Sequence, residues 1–227
     1  MPGLIPLALF VISLLFFVGG YFFSSTFYFH KHQVKYSFKR MFPYEFNYPS
    51  SFKNNIYGNI AFIVAILSLL SFYIYWLTIN GTTNVTNIMI TALAVSMAGF
   101  ICCLFFMPLQ FLRTHMIIST LAMVISLGIP AMVCFAIMAK YRIVTAQSDQ
   151  TLCIVGLVLS ALLALTMLVF ILNPKATYKI YLEKSVNENG QEVMARPKFI
   201  PMAFNEWWSI VTFFLSPIGL VIISFIK

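Results

Sequence analysis

Few residues of this chain could do chemistry, and six of them lie beside apolar segments that could end at one membrane surface. Imidazole and carboxylate groups exchange protons near neutral pH, and imidazoles also bind metal ions. The six residues are His30, His32, Arg113, His115, Asn205 and Glu206. Such a set predicts either an acid-base or metal site at headgroup depth, or polar residues that anchor helix ends at the interface.

The spacing of these residues matches no established catalytic motif. His30 and His32 would share one side of a strand but lie about 200° apart on a helix, so even this pair depends on conformation. The chain has no HExxH, CxxC, GxSxG or glycine-rich phosphate motif. His30, His32, Arg113, His115 and Glu206 are therefore weak catalytic candidates. The sequence predicts no cofactor and assigns no metal ligand, although the inner histidines leave metal binding open.

Six apolar segments must position these residues. None contains an internal Asp, Glu, Lys or Arg, and about 20 residues of helix span a hydrocarbon layer of roughly 30 Å. The segments cover residues 4–25, 57–79, 87–108, 116–138, 152–172 and 207–226. With 61% hydrophobic and 9% charged residues, the sequence predicts an all-α polytopic membrane protein. It would form a six-helix transmembrane bundle, a single domain over residues 1–227.

Basic residues are distributed unequally between alternate loops. Residues 26–56, 109–115 and 173–206 hold eleven of the 14 Lys and Arg residues. Because positive loops stay on the inner side, we expect these three loops inside and both termini outside. The basic loops would also contact anionic lipids of the inner leaflet. The basic residues are not interleaved with aromatic ones as in nucleic-acid modules, so no nucleic-acid partner is expected.

Small residues at four-residue spacing indicate close helix packing in two segments. In lipid, helices associate where small side chains let the backbones approach. The residues are Ala94, Ala98 and Cys102 in the third segment, and Gly156, Ser160 and Ala164 in the fifth. Their packing partner could be a helix of the same chain or of another membrane protein.

The first inner loop carries alternating aromatic residues: Phe42, Tyr44, Phe46 and Tyr48. Alternation of this kind is typical of one face of an extended segment. We expect the strip to contact the membrane interface or a partner protein, because aromatic rings suit both surroundings.

The last inner loop predicts a β-hairpin. Residues 177–186 and 191–199 flank a turn at 187–190 that contains Asn189 and Gly190, and Asn-Gly is the strongest short hairpin signal. An isolated hairpin is marginal in water, so it needs the membrane, another loop or a partner beside it. Trp207 and Trp208 would then mark the interface at the start of the last helix.

The connection between the second and third segments contains two N-x-T sequons, at Asn80 and Asn84. On the outer side they could accept glycans. The connection is so short that either Asn would lie almost at the headgroups, where a glycosylating enzyme has poor access. A tight polar turn, which Asn, Gly and Thr favour, is therefore the preferred interpretation.

Three classes of function fit these features. A non-catalytic accessory, assembly or regulatory subunit of a larger membrane complex is favoured by the uncharged helices, small-residue stripes and exposed loops. A lipid-modifying enzyme would use the inner His, Arg and Glu residues. A transporter of a neutral or apolar solute would use helices broken near Gly128 and Gly219, where Pro130 and Pro217 remove backbone donors.

Overall fold

A computed structural model describes residues 3–47, 52–107, 111–176, 183–186 and 192–226. Its helices are α1 Leu4–His32, α2 Ile56–Asn80, α3 Val85–Phe106, α4 Leu112–Tyr141, α5 Gln147–Ile171, α6 Pro201–Leu215 and α7 Ile218–Ile223. Two 3-10 turns, Pro43–Asn47 and Phe52–Asn55, lie between α1 and α2.

Six helices in the described part of the chain are long and apolar enough to cross a membrane, with α6 and α7 together forming the sixth span, Pro201–Ile223. This confirms the predicted multi-pass integral membrane protein. Large apolar side chains on α1 and α5 point outward, as lipid-facing residues do.

Several helices extend beyond the predicted apolar segments. α1 has 29 residues, which is about 43 Å at 1.5 Å per residue and more than a bilayer core needs. His30 and His32 therefore lie on the last turn of α1 instead of in a loop. Similarly, α6 begins at Pro201, six residues before Trp207, because proline suits the first turn of a helix. Apolar composition marks the lipid-spanning part of a helix, whereas backbone hydrogen bonding continues past it.

Two short strands lie between α5 and α6. β1 Glu183–Val186 pairs antiparallel with β2 Glu192–Ala195, with Glu183 opposite Ala195. The predicted turn, including Asn189 and Gly190, lies outside the described residues, so the complete hairpin stays a prediction.

The last span is the central helix of the bundle. In its most apolar stretch of 18 residues, 72% of the residues are buried, against 22% in the corresponding stretch of α1 and 17% in that of α5. It also has the lowest hydropathy of the six spans, 1.7 against 2.8 for α5. A membrane helix surrounded by protein can carry polar residues that a lipid-facing helix cannot, since hydrocarbon offers them no partners.

The two proline sites behave differently. α4 continues without a break through Pro130, whereas the last span is interrupted between α6 and α7 at Ser216 and Pro217. At this interruption the hydroxyl groups of Tyr73 and Ser216 lie 2.8 Å apart. A side chain of α2 thus reaches the break in the central span.

The small residues of α5 face a helix of the same chain. A Cβ atom added at Gly219 would meet the Ser160 hydroxyl, and one added at Gly156 would lie 3.2 Å from the Gly219 carbonyl oxygen. Ala164 is half-buried. On α3, Ala94 and Ala98 are buried but Cys102 is exposed. Each step of four residues rotates about 40° around a helix with 3.6 residues per turn, so a four-residue stripe leaves its starting face.

Candidate functional site

Two transmembrane helices bring two of the weak catalytic candidates together. His115 lies in the first turns of α4, and Glu206 lies in the second turn of α6. The Nε2 atom of His115 is 2.9 Å from Oε1 of Glu206, and the Ser119 hydroxyl donates to the same oxygen at 2.9 Å. Ser119 follows His115 by four residues, so both side chains lie on one face of α4. The cluster therefore links α4 to the central helix.

The backbone fixes how protons are arranged in this pair. Nδ1 of His115 lies 2.9 Å from the carbonyl oxygen of Met107. Because a carbonyl oxygen can only accept, Nδ1 carries a hydrogen and Nε2 faces Glu206. One proton then lies between Nε2 and Oε1, either as imidazolium with carboxylate or as imidazole with carboxylic acid. Both arrangements are neutral overall, which suits burial in a membrane protein.

The pair is sealed from solvent. Both side chains of His115 and Glu206 are 0% exposed, and the rings of Phe42 and Tyr44 meet the imidazole edge-on at 6.0 and 5.9 Å between centroids. Oε2 of Glu206 is buried and has no hydrogen-bond partner among the described residues. The arrangement can hold a proton and join two helices, but a substrate could reach it only if the aromatic cover moved.

The aromatic cover belongs to a folded layer that we call the cap, residues 33–47 and 196–200. Its central contact is a bidentate ion pair in which both terminal guanidinium nitrogens of Arg196 donate to Glu45 at 2.8 Å. Oε1 of Glu45 also accepts from the Phe42 backbone N–H at 2.7 Å. Burial lowers the pKa of Arg196, but the hydrogen bonds and charge of Glu45 raise it, and the net shift is upward. The guanidinium therefore stays charged.

A second set of contacts fastens the cap to α6. The indole N–H of Trp207 donates to the Tyr36 hydroxyl at 2.9 Å and to the Met41 carbonyl oxygen at 3.0 Å. Burial, followed by the charge of Glu45, raises the pKa of Tyr36 well above its usual value. Its hydroxyl keeps its proton and donates to the Phe42 carbonyl oxygen at 2.9 Å.

Three buried asparagines join the end of the cap and the start of α2 to the neighbouring helices. Asn47 donates to the carbonyl oxygen of Phe105 on α3 at 2.9 Å, and Asn59 on α2 donates to Oδ1 of Asn47 at 2.7 Å. Asn55 donates to the Ser24 hydroxyl on α1 at 2.7 Å. Side-chain amides thus tie this end of α1, α2 and α3 together.

The other members of the predicted His, Arg and Glu group lie apart from the buried pair or act separately. His30 and Arg113 are exposed. His32 packs against Tyr28, with 4.5 Å between ring centroids. Asn205 is buried and donates to the Phe170 carbonyl oxygen at 2.9 Å, which joins α6 to α5. The structure brings together only His115 and Glu206 from the predicted set.

The aromatic strip is not extended. Residues Pro43–Asn47 form a 3-10 turn, and Phe42 and Phe46 are buried within the chain. Tyr44 is half-buried, and Tyr48 lies outside the described residues. Phe42 and Tyr44 both pack on His115 of α4, whereas Phe46 packs on Tyr21 of α1 and Trp207 of α6.

The two tryptophans predicted to mark the membrane interface pack against other parts of the chain. Trp207 is 3% exposed and lies among the rings of Tyr21, Phe46 and Phe105. Trp208 is half-buried and packs on Phe204 and Phe170. The start of α6 at Pro201 moves both residues one to two turns into the helix.

The opposite end of the bundle is built from local contacts, and we call it the turn end, residues 80–87 and 140–146. Asn84 caps α3 by accepting from the backbone N–H groups of Thr86 and Asn87. Asn87 accepts from the Trp76 indole at 3.2 Å. A cavity of about 350 Å³ lies here, with Lys140 in its lining. The expected tight turn is present, with Gly81 at φ 99°.

Comparison of the chain with protein-family models, curated proteins and solved structures gives no match. The role of the site therefore has to be argued from its geometry. In the part of the chain that the structure describes, no group of three His, Cys, Asp or Glu residues could hold a metal ion.

Sequence reasoning missed Ser119 and the ion pair between Glu45 and Arg196. The four-residue spacing between His115 and Ser119 was a usable signal. Glu45 and Arg196 are separated by 151 positions, and no local pattern links them.

Proposed function

We propose that this chain is a non-catalytic subunit of a larger membrane complex, with the cap end as its assembly surface. The observation that carries the proposal is the complete burial of His115 and Glu206 beneath the cap. A catalytic pair has to touch its substrate, whereas a sealed neutral pair holds helices in place.

The cap supports this role because it is rigidly fastened on several sides. Arg196 donates two hydrogen bonds to Glu45, and the indole N–H of Trp207 donates one to the Tyr36 hydroxyl. The strands Glu183–Val186 and Glu192–Ala195 belong to the same connection as Arg196. A two-stranded sheet leaves unpaired backbone groups on its edges, and partner proteins often add a strand to such an edge.

Purification from the native membrane tests the proposal directly. The tagged full-length chain would be extracted in mild detergent, sized, and examined by mass spectrometry for co-purifying proteins. We expect a membrane protein in fixed stoichiometry with this chain. A strictly monomeric chain that functions normally would contradict the subunit role.

Two variants test whether the strands form the contact with the partner protein. Replacing residues 183–195 by a Gly-Ser linker of equal length should abolish partner recovery without changing the thermal unfolding of the bundle. The matched control, Lys140→Gln with Arg142→Gln, changes the turn end and should retain the partner. Equal loss of the partner in both variants would show that the strands are not the contact.

A lipid-modifying enzyme at the same residues is the second candidate, and one observation favours it. Oε2 of Glu206 is buried without a hydrogen-bond partner among the described residues, and such a group is a candidate base. If the cap opens to admit a lipid headgroup, Glu206→Gln should change the lipid composition of the native membrane. An unchanged lipid profile alongside normal folding would eliminate this candidate.

A further inference from the structure

We propose that the groove between α1 and α6 is a specific site for one anionic phospholipid, with an acyl chain in the groove and the headgroup at Lys39 and Lys198. The site goes beyond the subunit role and does not depend on it. Its support comes from the shape and apolar lining of the groove and from the basic residues at its mouth.

The groove has the size and lining of a ligand site. Its volume is about 420 Å³, within the roughly 300–1,000 Å³ range of small-molecule sites. Phe17, Val18 and Tyr21 of α1 form one wall, and Trp208 and Val211 of α6 form the other. Aromatic and aliphatic side chains suit an acyl chain, which has no hydrogen bonds to satisfy.

The mouth of the groove lies where the cap meets the start of α6. Phe38 of the cap lines the groove and packs near Phe204, with 6.0 Å between ring centroids. The next residue, Lys39, accepts a hydrogen bond at its carbonyl oxygen from the backbone N–H of Ile200 at 2.9 Å. Lys198 precedes Ile200 by two residues, and both lysine side chains are exposed. One backbone hydrogen bond thus brings two basic segments together beside an apolar groove.

The charges at this end favour an anionic headgroup. Glu45 is engaged by Arg196, and Glu206 is buried with His115. Each lysine near an anionic membrane surface strengthens attraction on the order of fivefold. A phosphodiester headgroup without a balancing cation therefore fits this mouth better than a zwitterionic one.

Tryptophan quenching by brominated lipids tests the site in the full-length chain. The protein would be reconstituted into phosphatidylcholine bilayers that contain dibrominated phosphatidylglycerol or, separately, dibrominated phosphatidylcholine. Trp207 and Trp208 line the groove, whereas Trp76 lies at the turn end and gives a constant background. We expect the anionic lipid to reach half-maximal quenching at roughly 25-fold lower mole fraction, about fivefold for each of the two lysines.

Two variants separate headgroup binding from chain binding. Lys39→Gln with Lys198→Gln should reduce the preference for phosphatidylglycerol to less than about twofold, because both proposed headgroup contacts are lost. Lys35→Gln with Lys53→Gln removes equal charge from two other exposed lysines and should leave the preference unchanged. Val211→Phe fills the groove and should lower quenching by the anionic lipid to the phosphatidylcholine level. If Val211→Phe fails to fold, Val18→Phe fills the groove from the exposed wall.

Three results would overturn the proposal. Equal quenching by both lipids in the unaltered chain would show that the groove takes any surrounding lipid. An equal loss of preference in both lysine double variants would show diffuse surface attraction. A full preference that persists in the groove-filling variants would show that the headgroup binds without the groove.

Discussion

The two ends of the bundle use polar residues in opposite ways. At the cap end, Glu45 pairs with Arg196 across 151 positions and His115 with Glu206 across 91. At the turn end, Asn84 contacts residues two and three positions away, and Trp76 contacts Asn87 at a separation of 11. Long-range polar contacts hold the cap end together, and neighbours in sequence build the turn end.

This difference explains why α6 is the central helix. Glu206, Asn205 and Trp207 lie on successive positions of α6 and reach α4, α5 and the cap. In the described part of the chain, no three consecutive residues of the turn end reach three separate elements in this way. We therefore expect damage at the cap end to spread through the bundle and damage at the turn end to remain local.

The largest effect should come from Glu206→Leu. The change leaves the His115 imidazole and the Ser119 hydroxyl buried without their common acceptor, and removing one member of a buried pair costs about 3–5 kcal/mol. Thermal unfolding in detergent should show a large decrease in midpoint for the whole bundle.

A double variant gives the control for this loss. Replacing both residues, His115→Leu with Glu206→Leu, removes the unpaired imidazole and should recover much of the lost stability, because apolar replacements of a buried pair are often tolerated. If the double variant is no more stable than Glu206→Leu, the pairing of the two side chains is not the source of the loss.

The same contrast explains how far the sequence could predict the molecule. Hydropathy locates the six spans because every lipid-facing turn must be apolar, and Asn, Gly and Thr mark the tight turn at residues 80–87 through local chemistry. The pairing of Glu45 with Arg196 is invisible to such patterns, since it depends on how distant loops fold over α6. His115 and Glu206 were both recognisable as polar residues at segment ends, but their contact required the packing of α4 on the central helix.

A smaller loss is expected for Glu45→Gln. The substitution keeps the size of the side chain but weakens a bidentate ion pair, and hydrogen bonds to charged groups contribute about 1.5–3 kcal/mol before discounting for solvent. The Arg196 side chain is 30% exposed, so water replaces part of the interaction and we expect about 1 kcal/mol. Equilibrium unfolding would measure it, with Arg113→Gln as an exposed control of less than about 0.5 kcal/mol.

Limited proteolysis gives a second measurement of how Glu45→Gln affects the cap. A loosened cap should expose residues 33–47 to a soluble protease faster than in the unaltered chain, even where the bundle remains folded. Unchanged cleavage would mean that Trp207 and Tyr36 suffice to hold the cap closed.

The smallest effect belongs to the turn end. Asn84→Ala removes the side-chain acceptor for the first N–H groups of α3, and loss of such a cap costs about 1 kcal/mol or less in an exposed helix start. Asn84→Ser keeps an acceptor and should behave like the unaltered chain. Hydrogen exchange followed by mass spectrometry should show faster exchange only near residues 84–88 for the alanine variant, and a spread over many helices for Glu206→Leu. Should Asn84→Ala also raise exchange at the cap end, the two ends would be coupled through the helices, and local contacts could not be what sets the turn end apart.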